Sequence, residues 1–216
     1  MPFLNTILEL FFPVYCVGCN SSGKELCQNC IAEMPAAERE SAEWIFPAFD
    51  YRHPPLKKAL WLFKYKGKKN LAEEFAGVVY GKIMEELSEL MIMENFRKPF
   101  LVPIPLSKNR HRERGYNQAE LICRELLKLD TDKNFTFENN ILIKSKNTEH
   151  QARIHNRAER LQNIVGSFTV KNPAGIKGRN IILIDDILTT GATLSEARKT
   201  LKHAGAKKII AFTVAH

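Results

Sequence analysis

The stretch "IILIDDILTTGAT" (residues 181–193) runs four apolar residues into two adjacent aspartates, then into a turn of threonines around one glycine. Ile181–Ile184 reads as a continuous apolar strand, the pattern of a strand with both sheet faces covered. In open α/β sheets ligands bind beyond the carboxyl ends of the strands, and Asp185 and Asp186 stand at such an end. "ILTTGATLSEA" then enters a helix, whose first N–H groups are ready phosphate donors. Thr189, Thr190 and Thr193 add hydroxyls, Ala192 is small, and Gly191 lets the backbone approach an anion at positive φ. The two carboxylates can accept hydrogen bonds from two vicinal hydroxyls. A ribose 5-phosphate satisfies both halves, with its diol on the aspartates and its phosphate in the Thr-Gly turn. No G-x4-G-K-[ST] is present, so this is not a Walker loop.

Working outward, strands alternate with helices. "FLVPIP" (100–105), "NILIKSK" (140–146), "NIILID" (180–185) and "KKIIAFTVAH" (207–216) read as strands. Residues 56–91 read as helix, turn, helix with Gly67 at the break, and "AELICRELLKL", residues 153–168 and "TLSEARKTLKHAGA" read as helices, the last stopped by Gly205. Trp44, Phe46, Phe49 and Tyr51 suggest strand or packing anchors, and Cys123 reads as a packed helix residue. The alternation predicts an α/β domain with an open, mostly parallel sheet. "LSKNRHRERGYNQ" (106–118) reads as a highly basic loop.

Four of the five cysteines fall in "CVGCNSSGKELCQNC": Cys16, Cys19, Cys27 and Cys30, two C-x2-C pairs separated by seven residues. Two close pairs supply four thiolates to one tetrahedral ion, and Gly18 allows the tight turn of a knuckle. Four cysteine ligands leave no open position for catalysis, so the expected zinc is structural. With no basic n-region and Glu9 in the apolar start, a signal peptide is not expected, and the cell interior is the default compartment, where disulfides rarely persist. A cytoplasmic protein is therefore expected. Phe3, Leu4, Ile7, Leu8, Phe11 and Phe12 fit one face of a short helix docked on the body. No apolar run approaches the roughly 20 residues needed to span a bilayer, so no stable membrane insertion is expected.

The chain has 216 residues, enough for one domain plus a small module, and we expect the division at residues 1–35 and 36–216. A net charge of +8 favours polyanionic partners: nucleic acid, phosphorylated metabolites or acidic membrane. Lys57, Lys58, Lys64, Lys66, Lys68 and Lys69 form a basic patch with Trp61, Phe63 and Tyr65 interleaved. Lys108, Arg110, Arg112, Arg114 and Tyr116 form a second, and Arg153, Arg157 and Arg160 recur at helical spacing. Such residues suit single strands, by backbone attraction and base stacking. They equally suit a solvated basic face, or a hold on a small ligand's phosphates.

"ILIDDILTTGAT" resembles the phosphoribosyl-diphosphate (PRPP) motif of type I phosphoribosyltransferases. Together with the cysteine module, "LKKALWLFKYKG", "VPIPLSKNRHRERGYNQAELI", "HQARIHNRAERLQNIVGSF" and "LKHAGAKKIIAFTVA", nearly the whole chain resembles the ComF family. These are competence-associated proteins that join a zinc ribbon to a phosphoribosyltransferase domain. The resemblance implies that Asp185 and Asp186 bind the ribose hydroxyls and that Thr189, Thr190, Gly191, Ala192 and Thr193 bind the 5-phosphate. It places pyrophosphate at Leu106, Ser107 and Lys108, with Mg²⁺ held largely by substrate oxygens. It further implies a role in DNA uptake during natural transformation, with single-stranded DNA and other DNA-uptake proteins as partners. The alternative is an active phosphoribosyltransferase moving ribose 5-phosphate from PRPP to a nitrogen acceptor. Glutamine-dependent amidophosphoribosyltransferases use an N-terminal catalytic cysteine; the second residue here is Pro2, and that activity is not expected.

Overall fold

The computed structural model describes residues 13–38, 41–145 and 164–216. The expected helix at 153–168, with Arg153, Arg157 and Arg160, lies almost wholly outside the described residues, as does the N-terminal apolar face.

Five strands form one parallel sheet: β1 (Ile45–Phe49), β2 (Phe100–Pro103), β3 (Thr136–Phe137), β6 (Ile181–Ile187) and β7 (Ile209–Ala215). Their spatial order is β1-β7-β6-β2-β3. The central strand β6 pairs with β2 from Phe100↔Ile181 to Pro103↔Ile184, and with β7 from Ile181↔Ile209 to Ile187↔Ala215. A separate antiparallel ribbon joins β4 (Leu142–Lys144) to β5 (Phe168–Val170).

The period of two along a strand sorts side chains onto the two faces. Ile182 and Ile184 of β6, with Ile210, Phe212 and Val214 of β7, enter one core. That core holds α2 (Pro54–Tyr65), α3 (Leu71–Glu94) and α5 (Gln118–Leu129), and Cys123 is fully buried in it. Ile181 and Leu183, with Ile209 and Ala211, enter the other, under α7 (Ala192–His203) and the β4–β5 ribbon. This two-sided burial is why residues 181–184 carry no polar side chain.

The cysteine segment docks onto the first core. Leu26, Ile31 and Met34 pack into it, the last two within and just beyond the short α1 (Gln28–Ala32). Lys24 lies 3.2 Å from the buried Glu74 of α3, whose carboxyl burial pushes up, and Lys68 lies 3.3 Å from Glu25.

One sequence expectation is corrected. The basic segment after β2 is not a loop throughout: Lys108–Arg114 forms a short helix, α4. Ser107 caps it by accepting a hydrogen bond from the Arg110 N–H at 3.4 Å, and Gly115 ends it at φ 76°. Neither signal shows as apolar periodicity, because α4 buries no residue. The remaining helix, α6 (Pro173–Ile176), is one turn. Among the described residues no helix is long and apolar enough to cross a membrane.

Candidate functional site

A cleft of about 270 Å³ opens at the carboxyl ends of β2 and β6. Asp185, Asp186, Thr189 and Thr193 line one wall, and Leu106 and Ser107 the other. Beside the apolar Ile104, Pro105 and Ile187, the rest of the lining is cationic and aromatic: Lys64 and Tyr65 from α2, Arg110 and Arg114 from α4, Lys144 from β4, and Tyr51.

The adjacent aspartates leave β6 toward opposite faces of the sheet. Asp186 is buried on the side of α2, where its Oδ1 lies 2.9 Å from Lys64 Nζ. Asp185 points toward the ribbon, and one of its carboxylate oxygens accepts the Asp186 N–H at 2.9 Å. Burial above all, then the charge of Asp186, pushes Asp185 up to about 7. Lys144 moves the other way: burial, reinforced by the Arg110 guanidinium, brings its ammonium down to about 8. The cleft thus holds an acid and a base that both exchange protons near neutrality.

The turn after the aspartates has the conformation its glycine allows. Gly191 is the N-cap of α7 at φ 73°, and the Ala192 N–H donates to the Thr190 hydroxyl at 3.4 Å. The Gly191 carbonyl accepts the Ser195 N–H at 2.9 Å. Thr189, Gly191 and Thr193 surround a small recess next to Asp185. The other first-turn N–H groups of α7 have no partner within the helix by construction, which is what an anion requires.

The second basic patch divides. Arg110 and Arg114, four residues apart on one face of α4, line the cleft, and Arg114 also donates to Gln118 Oε1 at 3.0 Å. Lys108 and Arg112 are exposed and outside its lining. Tyr116 corrects the sequence expectation of a base-stacking residue. It is buried, its hydroxyl donates to the Phe63 carbonyl, and its ring is covered by Lys69 at 5.0 Å.

Four site residues escape a reading by motif. Lys64 and Tyr65 sit in a helix whose lysines read as a surface patch. Lys144 ends a short strand. Asn117 holds the wall opposite the aspartates: its Nδ2 donates to the Ile104 carbonyl at 3.0 Å while its Oδ1 caps α5. Only a lysine inside an otherwise apolar strand, and an asparagine just before a helix, were visible as signals.

The four N-terminal cysteines converge as a separate candidate metal centre. Their sulfurs all lie within 4.8 Å of one another, against about 3.8 Å between ligands of a tetrahedral zinc with Zn–S bonds of about 2.3 Å. Cys19 Sγ and Cys27 Sγ are 3.6 Å apart. A Cβ on Gly18 would stand 2.7 Å from Cys30 Sγ, so the knuckle admits no side chain there. Burial works to raise Cys16, yet the backbone N–H groups of Cys19, Cys27 and Gly18 hold it at about 6. Its hydrogen bond with Cys27, then burial, pushes Cys30 up to about 12. Four thiols this close cannot all ionise unaided; a thiophilic dication is what allows it. The donor set fits a metal such as zinc.

Residues 114–216 match the phosphoribosyl transferase domain. Competence protein F of Haemophilus influenzae is 28% identical over 206 residues, covering 92% of this chain and 82% of that protein. Competence protein ComFC of Bacillus subtilis is 34% identical over 160 residues, 74% of this chain and 59% of that one. The chain is a homologue of the ComF competence proteins. Its parallel sheet with the acid pair after β6 is the type I phosphoribosyltransferase fold, preceded by a four-cysteine cluster. Among solved structures, the Bacillus subtilis glutamine PRPP amidotransferase overlays 67% of this chain and 25% of its own, at 16% identity and a TM-score of 0.36.

Proposed function

We propose that this ComF homologue is competence-associated, supporting DNA uptake by binding PRPP or a related ribose phosphate together with single-stranded DNA. The observation that carries the reading is the pairing of Asp185 and Asp186 with the Thr189–Thr193 turn along one cleft wall. Carboxylates accept from the ribose hydroxyls, and the α7 N-terminus with its threonines takes the 5-phosphate. Arg110 and Arg114 stand where Leu106 and Ser107 open the opposite wall, and there they meet the diphosphate. In the same reading residues 1–35 are a zinc-stabilised module and 36–216 the ribose-phosphate domain.

Magnesium, when bound through substrate oxygens, supplies charge neutralisation to a leaving diphosphate. The carboxylate pair is a chemically suitable oxygen donor set for it. Lys64 lies 2.9 Å from Asp186, so the protein's own share of the work is to supply that diol acceptor with a fixed counter-charge.

A second reading, transfer of the ribose 5-phosphate to a nitrogen acceptor, is favoured by one observation. Lys144 at about 8 and Asp185 at about 7 are poised to move a proton inside the cleft. Calorimetry with PRPP and Mg²⁺ tests the first reading, which requires saturable binding that Asp185→Asn/Asp186→Asn abolishes. Pyrophosphate release over a panel of nitrogenous bases tests the second. Binding without release under every acceptor would rule out the transferase.

A further inference from the structure

The basic-aromatic helix α2 has two faces with different work. Leu56, Ala59, Leu60 and Phe63 are buried in the core, and Lys64 reaches Asp186. The opposite face carries Lys57, Trp61 and Tyr65, spaced four residues apart and therefore stacked along one row. Trp61 is 48% exposed and Tyr65 57%, unusual for aromatic side chains this large. Their ring centroids are 6.4 Å apart, tilted by 49°. Cations crowd them: Lys66 Nζ lies 5.2 Å from the Trp61 ring centre, and the Arg114 guanidinium 5.3 Å from that of Tyr65. Lys58 and Lys69 are exposed nearby. Among the described residues none of Lys57, Lys58, Lys66 and Lys69 forms an ion pair with a carboxylate.

We infer that this face is the seat of the single strand, with bases on Trp61 and Tyr65 and the backbone along the surrounding lysines. The inference rests on the strand-binding part of the proposed function and gives it a location other than Tyr116. Exposed rings flanked by unpaired cations combine the two elements of sequence-tolerant strand binding, π faces for bases and charge for phosphates. Tyr65 also lines the ribose-phosphate cleft, so the platform runs to the cleft mouth. An acidic membrane surface fits less well, because the apolar face that would enter lipid is already buried in the core.

Trp44 and Trp61 are the two tryptophans of the chain, so Trp44→Phe leaves Trp61 as the sole indole reporter. In that background, titration with a short oligothymidylate is expected to quench the emission. Trp61→Ala in the natural chain should weaken oligothymidylate binding roughly tenfold, and Trp61→Phe should retain most of it. Replacing a lysine that meets a phosphate should lower the salt slope by about 0.7. Unaltered affinity in Trp61→Ala, without quenching in the reporter, would overturn the platform while leaving strand binding in place. A chain that binds ribose phosphate but no oligothymidylate would overturn strand binding and the platform together. Binding of anionic phosphatidylserine vesicles through Trp61, without oligothymidylate binding, would assign the face to membrane instead.

Discussion

The ammonium of Lys64 lies 2.9 Å from Oδ1 of Asp186, with the two side chains only 16% and 11% exposed. The acid pair therefore carries a counter-ion fixed by the fold. Removing one partner of a buried pair leaves an uncompensated charge. Lys64→Met should cost about 2–3 kcal/mol of stability at pH 8. Protonating Asp185, whose carboxyl is pushed up to about 7, relieves the repulsion within the acid pair, so the deficit against the natural chain should shrink by pH 5. Urea denaturation of both chains at the two pH values measures it.

Asp185 provides a second pH signature. Its folded pKa of about 7 stands above the 3.8 of a free aspartate, so the folded state binds more protons than the unfolded one between those values. The stability due to this group is fully present below about pH 4, falls as pH rises toward 7, and is flat above. The total change is at most about 4 kcal/mol. Asp185→Asn should flatten that part of the profile. A natural chain whose stability rises from pH 4 to 7 relative to Asp185→Asn would contradict the assignment.

The cysteine cluster should behave as part of the main fold. Leu26, Ile31 and Met34 belong to the core of α2 and α3, so stripping metal with a chelator should lower the melting temperature of the whole chain. Gly18→Ala forces a contact on Cys30 Sγ and should weaken metal retention in a competition assay with a chromophoric chelator.

Arg110 and Arg112 should separate the two ligands. Arg110 lines the cleft and Arg112 does not. Arg110→Ala should weaken ribose-phosphate binding at least tenfold, whereas Arg112→Ala should leave it unchanged. Tyr116→Phe removes a buried hydrogen bond to Phe63 and should cost about 1 kcal/mol of stability without altering oligonucleotide binding.

The parts of the molecule most legible in the sequence are those where one physical demand fixes the residue type. Ile181–Ile184 can only be a doubly covered strand, the cysteine spacing follows from tetrahedral coordination, and Gly191 follows from the positive φ at the α7 cap. Residues whose role depends on distant neighbours were not legible. Lys64 reads like any lysine of α2 until the fold sets it beside Asp186, 122 positions later in the chain. Tyr116 reads as an aromatic in a basic run, because burial against Phe63 depends on how α2 packs. Helix α4 escaped notice because it has no apolar face to generate a period, and its capping serine and glycine lie in a segment dominated by charge.

The central claim is that the wall of Asp185, Asp186 and the Thr189–Thr193 turn grips a ribose phosphate by both ends. Isothermal titration of the zinc-loaded chain with PRPP and Mg²⁺, alongside Asp186→Asn and Gly191→Val, tests it most directly. The account predicts saturable one-to-one binding by the natural chain. It predicts loss of at least tenfold in each variant, the first through the diol acceptors and the second through the φ 73° turn that carries the phosphate. Absence of binding by the natural chain, or undiminished affinity in both variants, would contradict it.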